Sequence, residues 1–339
     1  MDKKLKVGVI GAGGICRRVH MPSLAEIENC EVVAICDHHE EKAKAMAEKY
    51  GIPKIYTLHH EMLANEEMDA VFVLTQPDKT YRVAYDCLKA GFHVMMEKPA
   101  GINAFQAHSL ERMAAKTGKT AGVAMNRRHI PLLQEVLKRV KAVTEIVQVD
   151  GRFMKTSDIS VGWHYASAFN CDGIHALDCV RYLAGSEPKA VASVIGQYND
   201  SPIENAWNCV IMFENGVTGT LRSNYQAASR VHDFEIHGLK ASAFIDLGFP
   251  GREESATIIY GDGASIYSQA AAGVNQTNVE VITAKDAAGE DKFYQYYGYK
   301  SEDVDFVNAI LEGREPMCTI ADAAKSMDLL EKVWASRIN

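Results

Sequence analysis

Leu5-Lys6-Val7-Gly8-Val9-Ile10-Gly11-Ala12-Gly13-Gly14-Ile15-Cys16 opens the chain on a short apolar run that breaks into glycines and then resumes with helical periodicity. A strand, a G-x-G turn and a helix in that order form the signature of a dinucleotide-binding βα unit. The first glycine permits the tight turn, and the second lets the backbone approach a pyrophosphate. The third position, here Cys16, needs a small residue where helix meets strand. Gly11, Gly13, Gly14 and Ile15 are therefore candidate cofactor contacts. The acid that takes the ribose hydroxyls is expected about 20 residues further on, at the end of the second strand. Asp37 stands there, directly after Val32-Val33-Ala34-Ile35-Cys36. A carboxylate at that point repels a 2′-phosphate and favours NAD. His38, followed by His39, Lys42 and Lys44, keeps NADP possible.

Outward from this unit, short apolar runs alternate with helical patterns up to about Met125, which predicts a doubly wound parallel sheet. The expected strands are Leu5–Ile10, Glu31–Cys36, Ala70–Leu74, His93–Glu97 and Ala121–Met125, and their near-continuous hydrophobicity suits strands buried on both faces. Helices expected over about 40–50, 79–90 and 103–117 each run into a glycine stop, at Gly51, Gly91 and Gly118. Beyond a helix at about 131–141 the pattern changes to longer strands, at 145–153, 190–198, 208–213, 217–223 and 233–237. Asn215-Gly216 signals a two-residue hairpin turn and hence antiparallel pairing. A helix over 172–184 interrupts the strands, and helices over 301–311 and 320–337 close the chain. The expected organisation is a Rossmann domain over residues 1–125, then an α+β domain over 126–339 carrying a large, mainly antiparallel sheet.

In an open α/β sheet, ligands bind outside the carboxyl ends of the strands. The fourth strand ends on Thr75-Gln76-Pro77-Asp78 and the fifth on Glu97-Lys98-Pro99, so Thr75, Gln76, Pro77, Glu97 and Lys98 join the cofactor candidates. Lys98 is placed to exchange a proton with a substrate oxygen. In the second half, Asn170-Cys171-Asp172-Gly173-Ile174-His175 reads as a helix start. Asp172 is the expected N-cap. His175 would then lie in the first turn, where the helix dipole keeps its ring neutral and able to act as a base.

The 339 residues carry 36 Lys and Arg against 44 Asp and Glu, a formal charge of −8, with no basic run, so nucleic acid is excluded as the main partner. No apolar stretch approaches the ~20 residues that cross a bilayer. Eight scattered cysteines without a C-x-x-C pair point to a reducing, cytoplasmic compartment and away from a cysteine zinc site. No metal is expected, although twelve histidines leave a non-cysteine site open.

Together these residues resemble the Gfo/Idh/MocA oxidoreductases. The stretch Val7 to Cys16, His20-Met21-Pro22, Thr75 to Asp78, Glu97-Lys98-Pro99, Asn126-Arg127-Arg128, Asp172 to Asp178, Phe213 to Gly216, and Asp305-Phe306 with Ala309-Ile310 carry the resemblance. It implies hydride transfer between a nicotinamide and a carbon of a sugar, polyol or related small molecule. Lys98 and His175 would bind or deprotonate the reacting hydroxyl, and Asn126 would lie by the cofactor. It further implies substrate contacts at Arg128, His129, Lys155, Trp163, His164 and Tyr165, and a homodimer or homotetramer formed through the large sheet. One departure stands out. Family dehydrogenases often carry an aspartate four residues before the histidine, where this chain has Cys171, and Asp172 is the candidate substitute. A dinucleotide-binding sensor and an NAD-dependent glycoside hydrolase are the alternative readings.

Overall fold

Six parallel strands form the first sheet of the computed structural model, which describes residues 4–156, 167–248, 251–261 and 278–338. They are β1 (Leu5–Ile10), β2 (Cys30–Cys36), β3 (Lys54–Tyr56), β4 (Ala70–Val73), β5 (His93–Glu97) and β6 (Ala121–Ala124), in the order β3-β2-β1-β4-β5-β6. The order reverses between β1 and β4, and that switch point is where an open α/β sheet opens its crevice. β1 and β4 are almost wholly buried, as two-faced burial requires. The expected doubly wound sheet is thus present. β3 was not anticipated, because three residues, two of them exposed, are too short to show a hydrophobic period.

The helix Glu40–Tyr50 ends on Gly51 at φ +69 and Ala104–Thr117 ends on Gly118 at φ +65, the left-handed stops that the glycines signalled. Asn103 caps the latter by accepting the Gln106 N–H at 2.9 Å. The helix Pro77–Lys89 begins two residues earlier than expected, with Pro77 in its first turn.

By contact density the chain gathers into two units, one of Met1–His129 with Lys292–Asp328, the other of Ile130–Asp291 with Leu329–Asn339. A single boundary at residue 125 does not capture this discontinuous division. The helix Tyr299–Glu312 belongs to the first unit, where Phe306 is fully buried and meets Phe72 of β4 edge-on at 5.5 Å.

The second unit holds an eight-stranded sheet. Its strands are β7 (Gln148–Thr156), β8 (Pro188–Gly196), β9 (Ala206–Phe213), β10 (Thr218–Asn224), β11 (Gln226–His237), β12 (Ala241–Asp246), β13 (Ser255–Tyr260) and β14 (Asn278–Thr283), in the order β14-β13-β12-β11-β7-β10-β9-β8. All pairs are antiparallel except β10 with β7. The last three strands escaped the sequence pattern, since stretches such as Ala241-Ser242-Ala243 carry little β-propensity. The Asn215-Gly216 hairpin is real, but its loop has three residues. The Phe213 N–H donates to Val217 O, and only Gly216 takes a positive φ, at +88. That combination suits a three-residue loop closed by a left-handed residue, whereas a type I′ turn needs two.

The helix Ile174–Ala184 lies on the inner face of this sheet, with Val180 packed over Gly151 and Gly219. A Cβ at either glycine would come within about 3 Å of the valine methyls, so bare backbone is what lets helix and sheet close together. Trp207 stacks on Phe169 at 4.9 Å and meets Trp334 edge-on at 5.7 Å in the same layer.

Candidate active site

The first unit's crevice is built from β1's glycine turn. Gly11 has φ +104, and a Cβ on it would lie 2.5 Å from the Leu74 carbonyl oxygen, so only glycine lets β1 pass the end of β4 this closely. Around Gly13, by contrast, an added Cβ would meet nothing within 4 Å. That open cradle lies where the helix starts, and the first N–H groups of a helix have no intrahelical acceptor. Backbone donors, a positive helix end and free space together fit the pyrophosphate of a dinucleotide. Asp37 borders the cradle. Its Oδ2 accepts the Ala12 N–H and its Oδ1 accepts the His39 N–H, both at 2.8 Å, which fixes the carboxylate against the loop. His38 is exposed beside it.

At the end of β4, Thr75 Oγ1 lies 3.1 Å from Thr80 Oγ1, and Gln76 is exposed where the next helix begins at Pro77. Lys98 follows β5 half-buried, and its backbone N–H donates to Glu97 Oε2 at 3.1 Å. Glu97 in turn meets a group that the sequence pattern did not expose. The segment Cys16–His20 is a π-helical turn, a local widening of the helix that is frequent at functional sites. It carries His20 into full burial, with Nε2 at 3.2 Å from Glu97 Oε1 and Nδ1 at 2.9 Å from Asp303 Oδ1. Burial opposes charge on this ring, but the two carboxylates prevail and hold its pKa well above the usual imidazole value. Burial likewise acts against the Glu97 carboxylate, and His20 and Lys98 overcome it, keeping the group ionised. Next in the helix, Glu302 is buried without a hydrogen-bond partner for either oxygen among the described residues. Burial pushes its pKa well above the carboxylate range, so it holds its proton.

Asn126 and Arg128 are both buried in the first unit. The Asn126 amide donates to Tyr297 O at 2.9 Å and its oxygen accepts from Arg127 at 2.8 Å, while Arg128 is ion-paired to Asp322. Buried His129 lies in the same short 3₁₀ turn.

The second unit brings Lys155, Asp172 and His175 into one region. Asp172 does not cap the helix. The chain is already helical from Ala168, passes through a π-turn at Phe169–Gly173 and continues as Ile174–Ala184. The cap is Ser167, whose Oγ accepts the Asn170 N–H at 3.1 Å. Ser167 is a preferred capping residue in its own right, so Asp172 sits inside the helix and His175 about two turns from its start. The expected dipole effect, confined to the first turn, does not reach that ring. Asp172 Oδ2 instead accepts the Tyr225 hydroxyl at 2.8 Å and pairs with Lys155, whose ammonium lies 5.4 Å from the Phe153 ring centre and 5.2 Å from that of Tyr225. Tyr225 was invisible to sequence reasoning, because one tyrosine between two strands carries no motif. His175 is buried, at 5% exposure. Trp163, His164 and Tyr165 lie outside the described residues.

Comparison with known proteins bears on both halves. A family model described as "Oxidoreductase family, NAD-binding Rossmann fold" matches residues 5–125, and the C-terminal domain model of the same family matches residues 137–244. An uncharacterized oxidoreductase, YrbE, of Bacillus subtilis is 24% identical over 96% of this chain and 92% of its own. A myo-inositol 2-dehydrogenase of Thermotoga maritima is 26% identical over 71% of this chain and 75% of its own. Among solved structures, a dehydrogenase from Chromobacterium violaceum superposes with a TM-score of 0.86 at 18% identity, covering 99% of this chain and 96% of that one. A levoglucosan dehydrogenase, in complex with NADH and levoglucosan, gives 0.83 at 18% identity over 98% and 97%. No helix among the described residues is long and apolar enough to cross a membrane. With matching models for both its Rossmann domain and its sheet domain, this chain is a member of the Gfo/Idh/MocA family of NAD-binding oxidoreductases.

Proposed function

We propose that the protein oxidises a secondary hydroxyl of a polyol or sugar, or reduces the corresponding ketone, with NAD as the preferred dinucleotide. The observation that carries this reading is the crevice at the β1/β4 switch point, with an open cradle at Gly13, a fixed carboxylate at Asp37 and Lys98 after β5. The glycine-loop amides would hold the pyrophosphate, and Asp37 would take the ribose hydroxyls. Thr75, Gln76, Pro77, Glu97 and Asn126 complete the candidate cofactor residues. The bound nicotinamide supplies the hydride acceptor or donor. Lys98 stabilises the developing oxyanion of the substrate, and His175 removes the hydroxyl proton. Asp172 takes a different part from the one expected of it. Tied to Lys155 and Tyr225, it positions the Lys155 ammonium as a donor to a substrate hydroxyl, and Arg128 and His129 remain candidate contacts. The relative named for myo-inositol and the neighbour holding levoglucosan support a polyhydroxylated substrate.

The outer face of the eight-stranded sheet supports a homodimer or homotetramer, since Val194, Val210, Met212, Phe244, Val279 and Val281 stand exposed along it. The eight cysteines are all free and buried, which suits a reducing compartment.

A screen of sugars, polyols and their keto forms with NAD⁺, NADP⁺ and the reduced dinucleotides, followed by nicotinamide absorbance, tests the assignment. Turnover of at least one such compound, lost in Lys98→Ala, is the expected result. Glycoside cleavage with no net change in NADH, or dinucleotide binding with no turnover of any member, overturns it.

A further inference from the structure

We propose that His59, His60 and Asp86 form a binding site for one divalent transition-metal ion of the zinc class, clamping the short helix His59–Asn65 to the helix Pro77–Lys89. His59 Nε2 and His60 Nε2 converge on the same atom, Asp86 Oδ2, at 3.3 and 3.2 Å, and the two imidazole rings lie side by side, tilted by 37° with centres 3.8 Å apart. Those separations are long for a hydrogen bond to a carboxylate, which favours about 2.7–2.9 Å. They match the edge of a tetrahedron whose centre lies about 2.0–2.1 Å from each ligand atom, an edge of about 3.3–3.4 Å.

The donor set decides the class of ion. Two imidazoles and one carboxylate suit zinc, cobalt, nickel or copper, whereas magnesium and calcium demand more oxygens than this cluster has. Among the described residues two other groups of ligand-type side chains, His20 with Glu302 and Asp303 and His237 with Asp150 and Glu235, offer only one imidazole each. Access and preorganisation also favour this cluster. His59 and Asp86 are 14% and 13% exposed and so held in place, while His60, at 67%, opens the fourth coordination position to solvent.

One cation already competes for the carboxylate. Arg82 Nε donates to Asp86 Oδ2 at 3.2 Å, but its side chain is 76% exposed and free to swing into solvent or to the other oxygen. The site is therefore one where a divalent ion displaces an arginine, and this supplies a diagnostic that a purely structural hydrogen-bond cluster lacks.

The test uses the full chain, without a polyhistidine tag, stripped with chelator and titrated with Zn²⁺ by calorimetry and with Co²⁺ by visible absorption. One equivalent is expected, with the absorption of a four-coordinate cobalt site. His60→Gln, a change at an exposed side chain, is expected to weaken Zn²⁺ affinity by about tenfold or more, as is Asp86→Asn. Arg82→Ala is expected to tighten it by about threefold or more, because a positive charge leaves the ion's immediate surroundings. Failure of the wild type to bind either ion at millimolar concentration overturns the proposal. So does unchanged affinity in His60→Gln, or weaker affinity in Arg82→Ala.

Discussion

Substituting alanine at Gly11 and at Gly13 separates a glycine needed by the fold from one needed by the cofactor. At Gly11 the new Cβ would lie 2.5 Å from Leu74 O and 2.8 Å from its carbonyl carbon, on a backbone held at φ +104. A left-handed backbone costs an L-residue roughly 1–2 kcal/mol, and overpacking of this kind costs about 1–3 more. The sum, about 2–5 kcal/mol, is a large part of the ~5–15 kcal/mol that holds an ordinary domain folded. At Gly13 the Cβ meets nothing within 4 Å and φ is not positive, so the folded protein accepts it with no loss and a gain of up to about 1 kcal/mol from the stiffer unfolded chain. The added methyl would stand in the open space that the cradle leaves for the pyrophosphate. Losing one charge-assisted hydrogen bond to the pyrophosphate there costs about 1.5–3 kcal/mol, or roughly 10–150-fold in Kd. Urea denaturation without cofactor and titration of NADH by its fluorescence read the two effects apart. Gly11→Ala should lose midpoint and Gly13→Ala should keep it while binding NADH weakly. Wild-type NADH affinity in a folded Gly13→Ala protein would refute the cradle, and a melt as poor as that of Gly11→Ala would refute its emptiness.

Lys98→Ala should lower kcat by about 10²–10⁴, the usual worth of a positioned acid or base, with the Kd for NADH near wild type by fluorescence titration. Asp37→Ser should raise the ratio of kcat/KM for NADP over NAD by about tenfold or more. One unit charge 4 Å from another contributes about 1–4 kcal/mol between water and a protein surface, and an unmoved ratio would show that Asp37 does not read the ribose. Ser167→Ala should cost about 1 kcal/mol in urea denaturation, and an unchanged midpoint would show that Ser167 does not cap the helix. Glu302→Gln should be increasingly stabilising as pH rises. The folded chain keeps this proton above the ordinary pKa of 4.5 whereas the unfolded chain releases it, so wild-type stability falls with pH in that window and the variant's lacks this term. A stability difference between the two that stays constant from pH 5 to pH 8 would mean that Glu302 is ionised in the fold.

The parts of this molecule that could be read from sequence are those whose cause is local. A glycine turn after a strand, a carboxylate closing the next strand and a glycine ending each helix are decided by φ, by sterics and by backbone donors within a few residues, and the first sheet came through with its strands nearly in place. The apolar runs of β1 and β4 were legible for the same reason, since a strand buried on both faces leaves at most a polar position near its end, as Lys6 does in β1. What escaped has its cause far along the chain. Ser301-Glu302-Asp303-Val304-Asp305 looks like the solvated side of a helix, yet Glu302 and Asp303 are both buried, and Asp303 meets His20, 283 positions away in sequence and one hydrogen bond away in space. Asp172 misled in the opposite way. Its fitness as a cap was genuine, but Ser167 was equally fit and came first, and once the helix had started the aspartate was carried to Lys155 and Tyr225. The charges near Lys98 show the same logic at the site itself. Glu97, inside the recognisable Glu-Lys-Pro triplet, is kept ionised in the core by a histidine that a π-turn swings inward, and that histidine is neutralised in turn by Asp303 on the helix Tyr299–Glu312. The triplet's chemistry is therefore supported from a part of the chain some 200 residues further on, where no local pattern marks it. A motif names a candidate residue; the charge balance around it is set by tertiary contacts, and only the folded chain displays those.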